Sequence, residues 1–325
     1  VVPNGVRVLE EGAFAHNNEL KAIVIPNSLK RILKGALSGL PKLEAVATYD
    51  SSPSDAKVEP GVFWAPSLEG VEDWPWALDG VEEYRFGSSL EDVAISEAQG
   101  GLFQTKRPAV TVAEGGTFSS LDGMLMGEGG KRLVYCPNEN KLSPSASDFS
   151  IPEGVEEISE GAFKAAPFSE IAIPPTVRKI GKSAFARMPL QSVSVPGTVE
   201  QFDESRESDW ADGSQGIFAF CDAMQSASLG EGTTRIPDAM FYGCSGLLEC
   251  SLPSTLKSIG NYSFGNCRNL ELVVPDACTD IHPKAFGSGI LSSVRSVSLS
   301  ERVSEETLAA VCSNANGALV MKRDG

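Results

Sequence analysis

Hydrophobic positions along this chain recur in one phrase every twenty-two or twenty-three residues, roughly apolar-x-apolar-Pro-x-x-Val-x-x-Ile-x-x-x-Ala-Phe. Clear copies are Ile151-Pro152 with Val155, Ile158, Ala162 and Phe163, and Ile173-Pro174 with Val177, Ile180, Ala184 and Phe185. Others follow Leu252-Pro253 and Val274-Pro275, and Phe218, Phe241, Phe264 and Phe286 stand 23, 23 and 22 residues apart. One folded unit stacked on its own copies explains such self-similarity, whereas a compact enzyme domain does not.

Within a copy the period is that of a short strand. In the segment 20–26, alternation puts Ile23 and Ile25 inward and Ala22 and Val24 outward. Proline, which cannot donate a ladder hydrogen bond, closes the strand where the chain turns. The Val and Ile that follow give a second apolar edge, the Ala-Phe pair fills the space between, and Gly12, Gly35 and Gly161 precede that pair where a tight bend needs them. Each buried Ile, Leu or Phe contributes about 1.5–3 kcal/mol. Five or six per unit cannot offset the ordering entropy of some twenty residues unless neighbouring copies cover both flat faces.

Strand, proline, Val-x-x-Ile and Ala-Phe in fixed order over 1–48 and 151–299 resemble the BspA-like (Treponema-type) leucine-rich repeats, the fifth leucine-rich repeat group. The resemblance implies a right-handed solenoid with a parallel sheet on its concave side and short helical or irregular pieces on the convex side. It also implies a bacterial cell-surface or secreted protein, with relatives that act as adhesins toward host matrix proteins.

The pattern degrades between 49 and 150. Gly61-Val62-Phe63 and Gly101-Leu102-Phe103 read as worn Ala-Phe units, and residues 120–126 and 131–137 read as two strands of an inserted β-hairpin around Gly127-Glu128-Gly129-Gly130. A loop insertion occupies 203–215. After Leu299 the phrase stops, and 304–312 reads as a capping helix with Ser304 at its N-cap, inside a C-terminal cap over 300–325. The expected organisation is thus one solenoid over 1–299 plus that cap. Because Val2-Pro3 opens in register with the repeat, a leader and further sequence are expected to have been removed.

Charge narrows the partners. Lys plus Arg total 27 against 43 Asp plus Glu, a net charge of −16, which opposes nucleic-acid binding. No run of residues is long and apolar enough for a membrane span. The seven cysteines are odd in number and lack paired C-x-x-C spacing. Cys221, Cys244 and Cys267 each follow the repeat phenylalanine by three residues, a column that reads as small buried thiols and not as disulfides or metal ligands.

No catalytic constellation emerges. His16 and His282 occupy different repeat positions, the glycines before Lys131 lack phosphate-loop spacing, and Asn261-Tyr262-Ser263 is a sequon whose Ser263 replaces the repeat alanine. The expectation is a non-enzymatic monomer with no cofactor and no metal, at the cell surface or outside the cell, binding a protein or glycan on another cell or matrix. The outward strand residues form columns such as Ser192, Ser226 and Glu249 beside Ser194, Ser228 and Ser251, a polar face without the aromatic and arginine anchors of interaction hot spots. All four tryptophans, Trp64, Trp74, Trp76 and Trp210, fall outside regular repeats. There they either stack on a ligand or seal apolar faces where the coil is interrupted. Two other roles stay open: a spacer for another domain, or a carbohydrate-acting module in which Glu69, Glu72, Asp73, Glu82 and Glu83 converge.

Overall fold

The computed structural model describes residues 1–72, 78, 80–93, 107–137, 149–203, 215–287, 294–315 and 317–323. They fall into two compact units, Val1–Leu142 and Ser143–Gly325. Each unit winds its chain into successive coils that add one strand apiece to parallel sheets.

In the first unit the strands are Val8–Leu9 (β1), Ala22–Pro26 (β2), Arg31–Ile32 (β3), Ala45–Tyr49 (β4), Val62–Ala65 (β5), Gly70–Val71 (β6), Glu83–Phe86 (β7), Asp92–Val93 (β8), Ala109–Val112 (β9), Phe118–Leu121 (β10), Met124–Gly127 (β11) and Arg132–Tyr135 (β12). The long strands pair in the order β2-β4-β5-β7-β9 and the short ones in the order β1-β3-β6-β8. The two periodic apolar edges of the phrase therefore become two separate sheets. Ile23, Val46, Phe63, Tyr84 and Val110 form one inward column through the long strands. All five are buried, and Phe63 and Tyr84 meet at 5.2 Å between ring centroids.

Two expectations for 49–150 need correction. Residues 61–63 are not an Ala-Phe unit: Val62 and Phe63 belong to β5, a strand of the long sheet. The phrase decays there but the coil register does not, because an inward aromatic in every other position still meets the requirement for apolar fill. The inserted hairpin is a three-stranded antiparallel ribbon, β10-β11-β12. Asp122 and Gly123 interrupt what reads as one strand, and their φ values of 49° and 82° make the two-residue turn that matches strand twist. Residues 101–103 lie outside the described set.

The second unit contains Glu157–Ile158 (β13), Lys179–Ile180 (β14), Ser192–Val195 (β15), Gln201–Phe202 (β16), Ser226–Leu229 (β17), Arg235–Ile236 (β18), Glu249–Ser251 (β19), Ser258–Ile259 (β20), Glu271–Val273 (β21), Asp280–Ile281 (β22), Ser296–Leu299 (β23), a helix Glu305–Asn314 (α1) and Leu319–Lys322 (β24). The long sheet runs β15-β17-β19-β21-β23-β24, and β18-β20-β22 pair among the short strands. Between the sheets the repeat phenylalanines stand in file: Phe163, Phe185, Phe218, Phe241, Phe264 and Phe286 stack at centroid separations of 5.2, 5.2, 5.5, 5.5 and 6.2 Å, with ring planes within 17° of parallel.

The corners beside that file demand left-handed backbone. Two residues before the phenylalanine φ is positive at Gly161, Ser183, Ala239 and Tyr262, and two residues after it at Ala165, Arg187, Phe220, Gly243 and Asn266. The cysteine column lies beneath: the Cys221, Cys244 and Cys267 thiols donate to the backbone carbonyls of Phe185, Phe218 and Phe241, one coil back, at 3.1–3.2 Å. Each thiol is a small buried group with its polar hydrogen satisfied. Burial pushes the Cys267 thiol well up and the Cys250 thiol up to about 12.

At the C-terminal side, Ser304 accepts the Thr307 amide at 3.0 Å and starts α1. The pattern does not end there, since β24 pairs with β23 in parallel and continues the long sheet beyond the helix. Its residues Leu319 and Met321 are exposed, so alternation of buried and polar positions, the signal of the earlier strands, is absent from β24.

Candidate functional site

The expected site residues separate on inspection. Trp74, Trp76 and Trp210, and most of the 203–215 insertion, lie outside the described residues. Trp64 does not sit on an irregular loop. It is the outward residue of β5, flanked in its strand by buried Phe63 and Ala65, and aligned across the sheet with Arg85 of β7 and Thr111 of β9. Its side chain is 41% exposed. An indole held by a strand on both sides and left open to solvent is not sealing a core.

Around it the chain builds a cleft of about 330 Å³, open on one side. Its floor comes from β4, β5 and β7 through Val46, Thr48, Val62, Trp64 and Arg85, and one wall from the segment after β4 through Asp55, Lys57 and Glu59. That segment starts in a short 3-10 turn, Pro53–Asp55, fixed by a capping box: Asp55 accepts the Ser52 amide and the Ser52 hydroxyl accepts the Ser54 amide. The turn packs on β2 and β4, and under it Ala45 and Ala47 are almost fully covered. Alanines at these positions leave the depth for the wall to lie close against the sheet.

Polar groups in the cleft are held in place. Arg85 donates from Nη1 to Glu59 Oε2 and from Nη2 to Glu83 Oε2, both at 2.9 Å, and Glu83 Oε1 accepts the Thr111 hydroxyl at 3.1 Å. The Glu83 hydrogen bond raises Arg85 above the ordinary guanidinium range against the opposing cost of burial, and the Glu83 charge with the Glu59 hydrogen bond and charge adds to the rise. Two carboxylates (Asp55, Glu59) and two cations (Lys57, Arg85) line the space, so its formal charge balances. The arrangement offers an apolar ring face bordered by pre-positioned donors and acceptors, which is a recognition geometry.

Of the acids considered for hydrolysis, Glu69 and Glu72 do not converge with Glu83. Glu69 pairs with Lys30 at 3.0 Å and Glu72 with Arg31 at 2.8 Å, both beside β6 of the short sheet, while Glu83 serves Arg85 on the long sheet. Asp73 is outside the described residues. His16 lies in the first unit, exposed at a left-handed corner; His282 lies in the second, where its Nδ1 accepts the Lys284 amide. Among the described residues no group of three or more His, Cys, Asp or Glu could hold a metal ion, and no helix is long and apolar enough to cross a membrane. In the sequon, Ser263 is buried with its one hydroxyl hydrogen shared between the Pro237 and Gly260 carbonyls, and Asn261 is buried as well.

The outward face of the second unit carries the expected columns. Ser192, Ser226, Glu249, Glu271, Ser296 and Leu319 align through their strand registers, and Ser228 donates to Ser194 at 3.0 Å. On another surface Phe220, Tyr242 and Tyr262 meet edge to face at 5.4 and 6.3 Å, with Arg187 over Phe220 at 4.7 Å. Those rings support coil stacking: a methyl added at Gly243 would lie 2.6 Å from Phe220 Cδ1, so the glycine is what lets the ring lie flat on the next coil.

Sequence comparison agrees with this architecture. A model of the BspA type leucine-rich repeat region matches residues 1–71, 141–206 and 213–313, in six copies. The chain belongs to the BspA-type leucine-rich repeat family. Solved structures of similar fold include a leucine-rich repeat protein from Eubacterium ventriosum, 14% identical over 87% of this chain and 80% of that one with a TM-score of 0.60. The pneumococcal vaccine antigen PcpA is 17% identical over 94% of this chain and 69% of its own, with a TM-score of 0.51. A leucine-rich cell surface protein of Faecalibacterium prausnitzii is 20% identical over 94% and 66%, also at 0.51. At these identities the likeness is one of fold. No curated protein matches the chain. As a BspA-type repeat protein it is an interaction scaffold.

Sequence reasoning singled out Trp64 but placed it outside the regular coil, whereas the structure has it in β5. The missed residues are Arg85, Glu59, Lys57 and Asp55. A signal for Arg85 was present: Glu83-Tyr84-Arg85-Phe86 alternates polar and aromatic positions, the mark of a half-buried strand. Ala65-Pro66 with Leu68 and Val71 likewise repeats the strand-proline phrase one residue short.

Proposed function

We propose that this chain is a non-enzymatic interaction protein of the bacterial cell surface or secreted space, with the role of an adhesin toward a protein or glycan of another cell or matrix. The observation that carries this reading is the Trp64 cleft, an exposed indole beside a doubly paired arginine on a rigid parallel sheet. Binding sites on such scaffolds gain from rigidity, because little ordering entropy is lost on association. Support for the location comes from the descriptions of two proteins of similar fold, one a vaccine antigen and one a cell surface protein. Across β15, β17 and β19 the outward face is polar, which suits a surface that meets partners without self-association.

The test is direct. The full chain, labelled and applied to immobilised host matrix proteins and glycans, is expected to bind at least one, with the signal reduced about tenfold or more by Trp64→Ala. Binding that is unaffected by Trp64→Ala, or no binding across the panel, refutes the reading.

A further inference from the structure

Resting on that reading of the cleft, we propose that its ligand is a neutral sugar ring, one pyranose unit of a glycan, stacked on Trp64. The charge arrangement selects against the alternatives. An anion seeks a guanidinium whose charge is uncompensated, but Arg85 is already countered by two carboxylates, with one N–H of each terminal nitrogen given to Glu59 and Glu83 and the remaining donors suited to a neutral acceptor. A cation meets Lys57 and Arg85 in the same small space. A purely apolar side chain would strip water from Asp55, Lys57 and Glu59 and return no hydrogen bonds. A pyranose satisfies all of these groups together. Its axial C–H face covers the indole, and each hydroxyl can donate to a carboxylate and accept from an ammonium or guanidinium at once.

Size and rigidity agree. A space of about 330 Å³ lies at the small end of ligand pockets, and its open side lets a chain of further sugars run out along the sheet face. Two of the lining groups, Glu59 and Arg85, are held by their mutual hydrogen bond before the ligand arrives, and Arg85 is held further by Glu83, which also accepts from Thr111. Trp64 is fixed by its strand.

The experiment titrates the full chain with maltotriose, cellotriose, chitotriose and lactose, followed by calorimetry, and repeats it with Trp64→Ala, Trp64→Phe and Glu59→Gln. At least one sugar is expected to bind with a Kd in the millimolar range or tighter. Trp64→Ala should weaken it about tenfold or more, Glu59→Gln should weaken it several-fold, and Trp64→Phe, which keeps a ring face, should retain most of it. Thermal melting of the variants verifies that each is folded. The proposal is overturned if none of the four sugars binds, or if the Trp64→Ala protein binds as the parent does. Loss of matrix-protein binding in Trp64→Ala with no sugar bound rejects the glycan and leaves the interaction reading standing; loss of nothing in either assay rejects both.

Discussion

Replacing Phe185 by alanine removes a ring that is fully buried between two others, Phe163 and Phe218, each 5.2 Å away and within 11° of parallel. Truncating a buried phenylalanine costs about 3–5 kcal/mol, from lost transfer free energy and the cavity left behind. Within that cost each stacked pair carries about 0.5–1.5 kcal/mol, and Phe185 has two. Phe286 stacks on one described ring, Phe264, at 6.2 Å, so Phe286→Ala should cost less than Phe185→Ala by about one pair, 0.5–1.5 kcal/mol. Urea denaturation followed by circular dichroism measures both. Hydrogen exchange then locates the damage, because the Phe163 amide donates to the Ala184 carbonyl, the Phe185 amide to that of Ile217 and the Phe218 amide to that of Met240, tying four successive coils together. Protection should fall in the coils of Phe163 and Phe218 as well as in that of Phe185. A cost below about 1 kcal/mol, or exchange confined to the mutated coil, would show that coils stand alone and would refute mutual coverage as the source of stability.

Other expectations follow from single residues. Six of the seven cysteines are buried and Cys312 is exposed, so a thiol reagent should label one site in the native protein and seven in denaturant; more than one fast native site contradicts the buried thiol column. Burial raises Cys136, Cys250 and Cys278 to about 12, above the unfolded value of 9.0. The folded state thus holds these protons longer, and stability, full below pH 8, should fall as pH climbs from 9 toward 12 by about 1.4 kcal/mol per pH unit per thiol; a flat profile in urea melts over pH 8–10 would count against it. Gly216→Ala places a methyl 1.7 Å from the Ala239 carbonyl oxygen of the next coil and should cost several kcal/mol, whereas Gly154→Ala, with open space but φ of 91°, should cost about 1–2 kcal/mol; equal melting temperatures for the two would be the wrong outcome.

How far the sequence could be read depended on what each residue was selected to do. Phe163 through Phe286 were legible because a stacking file requires the same side chain at the same place in every coil, and repetition is visible in a string of letters. The left-handed corners were legible at Gly12, Gly35 and Gly161 but hidden at Ser183, Phe220 and Tyr262, where a side chain occupies the strained backbone and no glycine marks it. In the first unit β5 and β7 were missed because only their inward positions are constrained, and Phe63 and Tyr84 meet that constraint without keeping the consensus. The cleft was least legible of all. Its wall at Asp55, Lys57 and Glu59 comes from a segment with no repeat counterpart, and its pairing with Arg85 joins residues 26 apart whose relation depends on where the coil turns.

Oxidative footprinting of the full chain with and without a saturating panel partner reads whether the Trp64 ring is covered in the bound state. If the Trp64 cleft is the contact surface, oxidation of the exposed Trp64 ring should drop several-fold on binding while Leu319 and Met321, exposed on the second unit, keep their rates. Unchanged oxidation of Trp64 in a demonstrably bound sample would contradict the account.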